Sequence, residues 1–337
     1  MAHIYTPRSL SDVRELRMRI ETEDPLFYGL KKLKMRGRDL SSIPPALFHI
    51  RELEVLDLSP ERQSCLTFRL MFVPRAICKL VNLKVLVLDT NELDEIPIEI
   101  TKLIQLERLA LSNNQFSWLP EGFSKLTKLR SLHLANNELE DFPMQLCEME
   151  GLEFLDLCDN KLHVLPAEIS RLTELHTLLL FYNRLEALPD TICDMTNLRC
   201  LWIGNNLLKQ LPRAFGNLKH LDWGIRYTSS TLDGNPLVSP PIEICRMGPD
   251  AIEKYLNTSR GDIGSRNSRK GRVDAEQQQN GEESDRGSSR SSRSKNEGGA
   301  DGGNTRASTI QDSRRNRRTR RERNMQLQEY SDEDDNE

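Results

Sequence analysis

An asparagine returns every 23 residues along this chain, at Asn91, Asn114, Asn137, Asn160, Asn183 and Asn206, and a proline keeps the same step at Pro97, Pro120, Pro143, Pro166, Pro189 and Pro212. Self-similarity at a fixed period of this length means stacked units, because one unit cannot bury its apolar face alone. Aligned on the asparagine, each unit reads L-x-x-L-x-L-x-x-N-x-L-x-x-L-P-x-x-L-x-x-L-x-x. The L-x-L alternation predicts a short strand, with Leu155 and Leu157 of one copy on one face and Phe154 and Asp156 on the other. The asparagine stands where the chain leaves the strand, and its amide can satisfy backbone groups that the turn would otherwise bury unpaired. The L-P step opens the return segment, where the fixed φ of proline suits a turn or the first position of a short helix.

This frame yields nine units: residues 30–52, 53–82, 83–105, 106–128, 129–151, 152–174, 175–197, 198–220 and 221–248. Arg38 and Phe68 fill the first two asparagine positions. The second unit carries seven extra residues between Leu58 and Leu70, and the ninth carries six within Gly224–Ser230 before Leu232 and Asn235 restore the phase. Insertions in a stacked array map to loops, as tolerated bulges or as places where binding is tuned.

Composition changes near Ser259. From there to Glu337 the chain has 17 Lys/Arg, 16 Asp/Glu and almost no large apolar residues, so a disordered Arg/Ser/Gly-rich tail is expected over 259–337. Residues 1–258 carry a net charge of −5, which gives no reason to expect nucleic acid or acidic membranes as partners of the folded part. The seven cysteines form no ladder of neighbours. The amino-terminal stretch has no apolar core of signal-peptide length, and no segment approaches the roughly 18 apolar residues of a membrane span. A reduced, cytoplasmic or nuclear setting and a monomeric chain are the expectation.

A solenoid needs covers at its ends. Residues 9–21 can form an amphipathic helix with Ser9 or Ser11 as its cap and Leu10, Val13, Leu16 and Ile20 on one side. Within the segment 1–29 it reads as an end cap, or else as a partner-binding helix. At the other end Gly248-Pro249-Asp250 starts a helix over 249–258, with Ala251, Ile252, Tyr255 and Leu256 as its apolar face. The repeat, together with the closing G-N-P-L-x-x-P-P-x-E-I-C-x-x-G-x-x-A-I-x-x-Y-L, resembles the intracellular short-repeat leucine-rich proteins of the Ras-suppressor, scribble-type and plant Ras-group-related kind. The resemblance spans about residues 30–258. It implies an α/β solenoid, a leucine-rich-repeat horseshoe with a parallel β-sheet on its concave face and helical caps at its ends. It further implies a scaffold or adaptor in signalling, polarity or cytoskeletal assembly, binding other proteins.

Outward strand positions of stacked units form columns on the concave face. Small and polar residues fill the middle, while Phe154, Leu179, Phe181, Tyr182, Trp202 and Trp223 gather in the last four units beside Asp156. The repeat demands none of these large side chains. An exposed aromatic patch points to a partner, or to a cover supplied by Gly224–Ser230 or the tail. Trp118, just before an L-P step, is expected on the turn side. Lys31, Lys32, Lys34 and Arg36 make a basic corner at the first unit, either a solvated face or a dock for an acidic segment.

Ser131, His133 and Asp156 share the concave face and suggest a catalytic triad. Residues i and i+2 on a strand lie about 6.6 Å apart with parallel side chains, whereas a nucleophile and its base should be about 3 Å apart. The expectation is therefore a surface ion pair between His133 and Asp156, and no enzyme. The six histidines have no metal-ligand spacing, and no metal or cofactor is implied. In the tail, Arg314, Arg315, Arg317, Arg318, Arg320, Arg321 and Arg323 form a dense run. It reads as a solvated linker, as a localisation or docking signal, or as an RNA contact through phosphate neutralisation. The competing function is thus a nuclear or RNA-associated protein with the repeats as its protein dock.

Overall fold

The computed structural model describes residues 13–36, 40, 43–60, 68–223 and 231–258. The helix-cap serines and Leu10, Arg38, both insertions and the tail with its arginine run lie outside them. Eight three-residue strands form one open parallel sheet in chain order. They are β1 (Lys32–Lys34), β2 (Val55–Asp57), β3 (Val85–Val87), β4 (Arg108–Ala110), β5 (Ser131–His133), β6 (Phe154–Asp156), β7 (Thr177–Leu179) and β8 (Cys200–Trp202). Each strand pairs with the next at the equivalent repeat position, as Phe154 with Thr177 and Asp156 with Leu179. Sequence register is therefore spatial register.

Leucines at the fourth and sixth positions point to the other side and are fully buried, as Leu155 and Leu157 are. The core also takes the apolar residues of the return segments, which wind as short 3-10 turns such as Ala167–Arg171 and Asp190–Asp194. In these two turns the conserved-phase proline sits just outside the helix: Pro166 and Pro189 are extended N-cap residues with φ of −71° and −65°. The fixed φ thus sets the entry angle rather than the first helical position.

The buried asparagines hold one unit to the one before. Asn160 donates from Nδ2 to the carbonyls of Leu157 in its own unit and Leu134 in the previous one, at 3.1 and 2.9 Å. Its Oδ1 accepts from Leu139 N–H at 3.1 Å. Asn91, Asn114, Asn137, Asn183 and Asn206 repeat this pattern, and Asn235 extends it to the ninth unit, bonding Ile203 O, Leu232 O and Leu208 N–H.

Both ends depart from the regular unit. At the first, α1 spans Val13–Met18, ends before the Ile20 of the apolar periodicity, and buries Leu16. After it Glu21 forms an antiparallel bridge with Lys32, exchanging two 2.8 Å bonds that cover the edge of β1. At the other end the ninth unit forms no strand among its described residues. Its ladder reduces to a parallel bridge between Trp202 and Thr231. There follow α2 (Ile242–Cys245) and α3, a helix over 249–258 that buries Ile252. Gly216 lets α3 approach, since a Cβ there would lie 3.0 Å from Glu253 Cα. No helix among the described residues is long and apolar enough to cross a membrane.

Candidate functional site

The open face of the sheet is built from the third, fifth, seventh and eighth positions of each unit. Its first strands are closed by their own contacts. Lys34 pairs with Asp57 at 2.8 Å and Lys32 with Asp24 at 2.6 Å, with Lys32 also over the Phe27 ring. The basic corner read from the sequence is thus largely neutralised by its own chain. In the middle, Asp89 accepts from Ser112 N–H at 2.7 Å, and burial pushes its carboxyl up to about 6.

The eighth position adopts the left-handed backbone conformation in six successive units: Thr90, Asn113, Asn136, Asp159, Tyr182 and Asn205, with φ between 49° and 65°. Asparagine and aspartate tolerate this region, while bulky residues pay about 1–2 kcal/mol there. Asn136 and Asn113 use the position for a side-chain row, bonded at 2.8 Å. Tyr182 has no such backbone rationale, and its side chain is largely in water at 54% exposure.

Around Tyr182 the large side chains meet. Its ring lies 4.6 Å from that of Phe181, edge to face, and Phe181 lies 6.4 Å from Trp202. Leu179 is half-buried beside them, paired with Trp202 on β8 and Asp156 on β6. The Phe181 ring folds across Gly204, where a Cβ would come within 2.7 Å of it. The indole Nε1 of Trp202 is buried without an acceptor. Phe154 belongs to a second group, stacked on His133 with centroids 4.7 Å apart. Trp223 stands in the ninth unit, after β8. It packs against the end of the core beside Gly248, 3.3 Å from where a Cβ would stand. Asp222 N–H still donates to Arg199 O at 2.7 Å, as Arg199 N–H does to His176 O one unit earlier, and Thr231 then pairs with the fifth-position Trp202. Trp118 is 43% exposed on the turn side.

Two expectations about Ser131, His133 and Asp156 are overturned. Ser131 Oγ and His133 Nε2 lie 3.0 Å apart, because rotamers bring i and i+2 side chains together that the bare strand spacing holds apart. His133 and Asp156 form no ion pair. Burial, and then the charge of Arg108, lower His133 to about 4, so its ring is neutral at pH 7. Burial raises Asp156, whose carboxylate instead accepts from Cys158 N–H at 3.0 Å. Among the described residues no third group orients the imidazole toward the serine, as nucleophilic catalysis requires. Among the described residues no His/Cys/Asp/Glu group is placed to hold a metal. The cysteines Cys147, Cys193 and Cys245 are buried and free, their thiols pushed by burial to about 11, 12 and 11.

The family described as leucine-rich repeat region matches residues 30–156 and 143–228. No curated protein sequence matches the chain. Among solved structures, a leucine-rich-repeat protein of Leptospira interrogans is 28% identical with a TM-score of 0.52, covering 65% of this chain and 58% of its own. A TDR receptor is 26% identical with a TM-score of 0.50, over 61% of this chain and 34% of that one. The ectodomain of the Arabidopsis thaliana receptor kinase GASSHO1/SCHENGEN3, solved in complex with CASPARIAN STRIP INTEGRITY FACTOR 2, is 27% identical with a TM-score of 0.50, over 58% and 23%. This chain spans between about a quarter and three fifths of the length of these neighbours.

Proposed function

The chain belongs to the leucine-rich repeat region family, and from that premise we propose that it is a non-enzymatic scaffold or adaptor that takes a protein partner on the open sheet face of β6–β8. The observation that carries this reading is Tyr182. A large aromatic ring occupies a left-handed backbone position that suits asparagine, stands mostly in water, and is braced by Phe181. Local strain of this kind persists where function uses the side chain. Tyr and Trp are the residues that dominate binding hot spots. A structural neighbour, the GASSHO1/SCHENGEN3 ectodomain, is solved in complex with CASPARIAN STRIP INTEGRITY FACTOR 2. The resemblance to short-repeat proteins, and the six described cysteines all being free, support a cytoplasmic role in signalling or polarity assembly.

The test compares capture of partners from cell extract by the wild-type chain and by Phe181→Ala/Tyr182→Ala. The expected outcome is loss of the captured partners with an unchanged circular-dichroism spectrum. Partners retained by the folded double variant, or lost on nuclease treatment, would refute the reading.

A further inference from the structure

Resting on that reading, we propose that the partner segment seated on β6–β8 is an extended peptide carrying arginine or lysine, its cation placed between Asp156, Asp159 and the Phe181–Tyr182 rings. The repeat register brings these groups together. Asp159 N–H donates to Phe181 O at 2.8 Å, which sets Asp159 beside Tyr182 one unit on. Asp156 lies opposite Leu179, two residues before Phe181.

The two carboxylates are electrostatically incomplete. Asp57, in the same fifth-position column, has Lys34 at 2.8 Å. No cation among the described residues pairs with Asp156 or Asp159, although Asp156 is half-buried against the sheet. A carboxylate removed from water without a counter-ion favours any cation that can reach it. Beside it stand ring faces, on which a guanidinium or ammonium gains a second attraction.

The same geometry excludes the rival chemistries. Phosphate, as in nucleic acid or a lipid headgroup, would meet two carboxylates beside a neutral His133, with no described cation paired to them. A small free cation would leave the half-buried Phe154 and Leu179 unused. An extended peptide supplies both a cation and main-chain carbonyls, and spans neighbouring units at about 3.3 Å per residue.

The experiment titrates the full chain against a fluorescein-labelled decapeptide of alternating arginine and serine, and against its citrulline counterpart, by anisotropy. Citrulline keeps the shape of arginine and removes its charge. The expected result is saturable binding of the arginine peptide that weakens at least tenfold with citrulline. The same loss is expected in Asp156→Asn/Asp159→Asn, but not in Glu138→Gln, which removes a carboxylate elsewhere. No binding, equal binding of the citrulline peptide, or equal effects of the two carboxylate substitutions would overturn the proposal. So would binding that appears only after the seven arginines from Arg314 to Arg323 are replaced by serine, since the occupant would then be this chain's own run. If the proposal fails while Phe181→Ala/Tyr182→Ala still sheds partners, the interaction reading stands without its cationic chemistry. If the arginine peptide binds through the aspartates while no partner is shed, the site stands and that reading falls.

Discussion

At the residue scale, one side chain does different work according to its place in the repeat. Asn160 is 7% exposed and bonds three carbonyls and an amide drawn from two units. Asn160→Ala strands those groups away from water, and each buried group left unpaired costs about 1–3 kcal/mol. The expected loss is about 2–4 kcal/mol, read as a lower urea midpoint with an unchanged slope. Asn197 donates to Thr173 O at the surface, and Asn197→Ala should cost under about 1 kcal/mol in the same assay. Asp89 works in the opposite direction. Its folded carboxyl titrates at about 6 because burial disfavours the charge, against 3.8 for the free group, with Arg108 opposing and Asp57 and Asp156 adding to the rise. Between those values the native state holds a proton that the unfolded chain has lost, so this group's contribution falls as pH rises and its cost is complete above about 6. Asp89→Asn keeps an oxygen for Ser112 N–H. The variant should be more stable than wild type at pH 7 by about 1–2 kcal/mol, after allowing for partial solvent screening. The two should converge at pH 4, as urea midpoints across that range would show.

At the scale of elements, the stacking of like positions turns sequence into columns, and one column carries alternating charge. The second position reads Lys31, Glu54, Lys84, Glu107, Arg130, Glu153 through the first six units. Lys84 pairs with Glu54 at 2.8 Å and Arg130 with Glu153 at 3.6 Å. The hydrogen bond that Lys84 donates to Glu54 is the main cause that raises Lys84, and the charges of Glu54 and Glu107 add to it. Single exposed pairs contribute at most about 1 kcal/mol, but every unit here opposes the charge of its neighbour. A slip by one unit would set like charges together. Lys84→Glu places three acids in a row and should cost about 1 kcal/mol at low salt, a loss that shrinks in 1 M NaCl as screening shortens to about 3 Å. This alternation stands in the sequence and becomes visible only when equivalent positions are compared. The strand faces, the buried leucines and the asparagine bridges were legible for the same reason: parallel pairing in register makes a step of 23 residues a spatial coordinate. Rotamers are outside that coordinate, which is why the contact between Ser131 and His133 and the stacking of His133 on Phe154 were not.

At the scale of the whole array, the coordinate fails where units stop being equivalent. Trp223 was assigned to the sheet face by counting onward from β8. Asp222 keeps its ladder bond to Arg199, Thr231 pairs with Trp202, and no strand forms among the described residues between them, where the tryptophan packs against the end of the core. Tyr182 stood out in the sequence as a large residue that the repeat does not demand, but its left-handed backbone and the fold of Phe181 over Gly204 needed coordinates. The ends also decide stability. In a stacked array each unit touches only its neighbours, so an uncovered end loosens first and the loss travels inward. The carboxyl-terminal cover is α3, whose Ile252 is fully buried, which packs on Gly216 and is tied by Lys219 to Asp250 at 2.7 Å. Ile252→Ala should cost about 2–5 kcal/mol by the cavity it leaves, but the cost will not be evenly spread. Amide exchange should quicken first in α3, β8 and β7, with β3 and β4 keeping wild-type protection under native conditions. Equal acceleration in all eight strands would mean that the array unfolds as a single unit, and that the end caps guard the whole sheet rather than its last turns. The same measurement bears on binding, because Phe181, Tyr182 and Trp202 stand on the units that loosen first. A chain whose last units open more readily has to order them on binding a partner, so Ile252→Ala should weaken capture through the patch without touching any of its side chains.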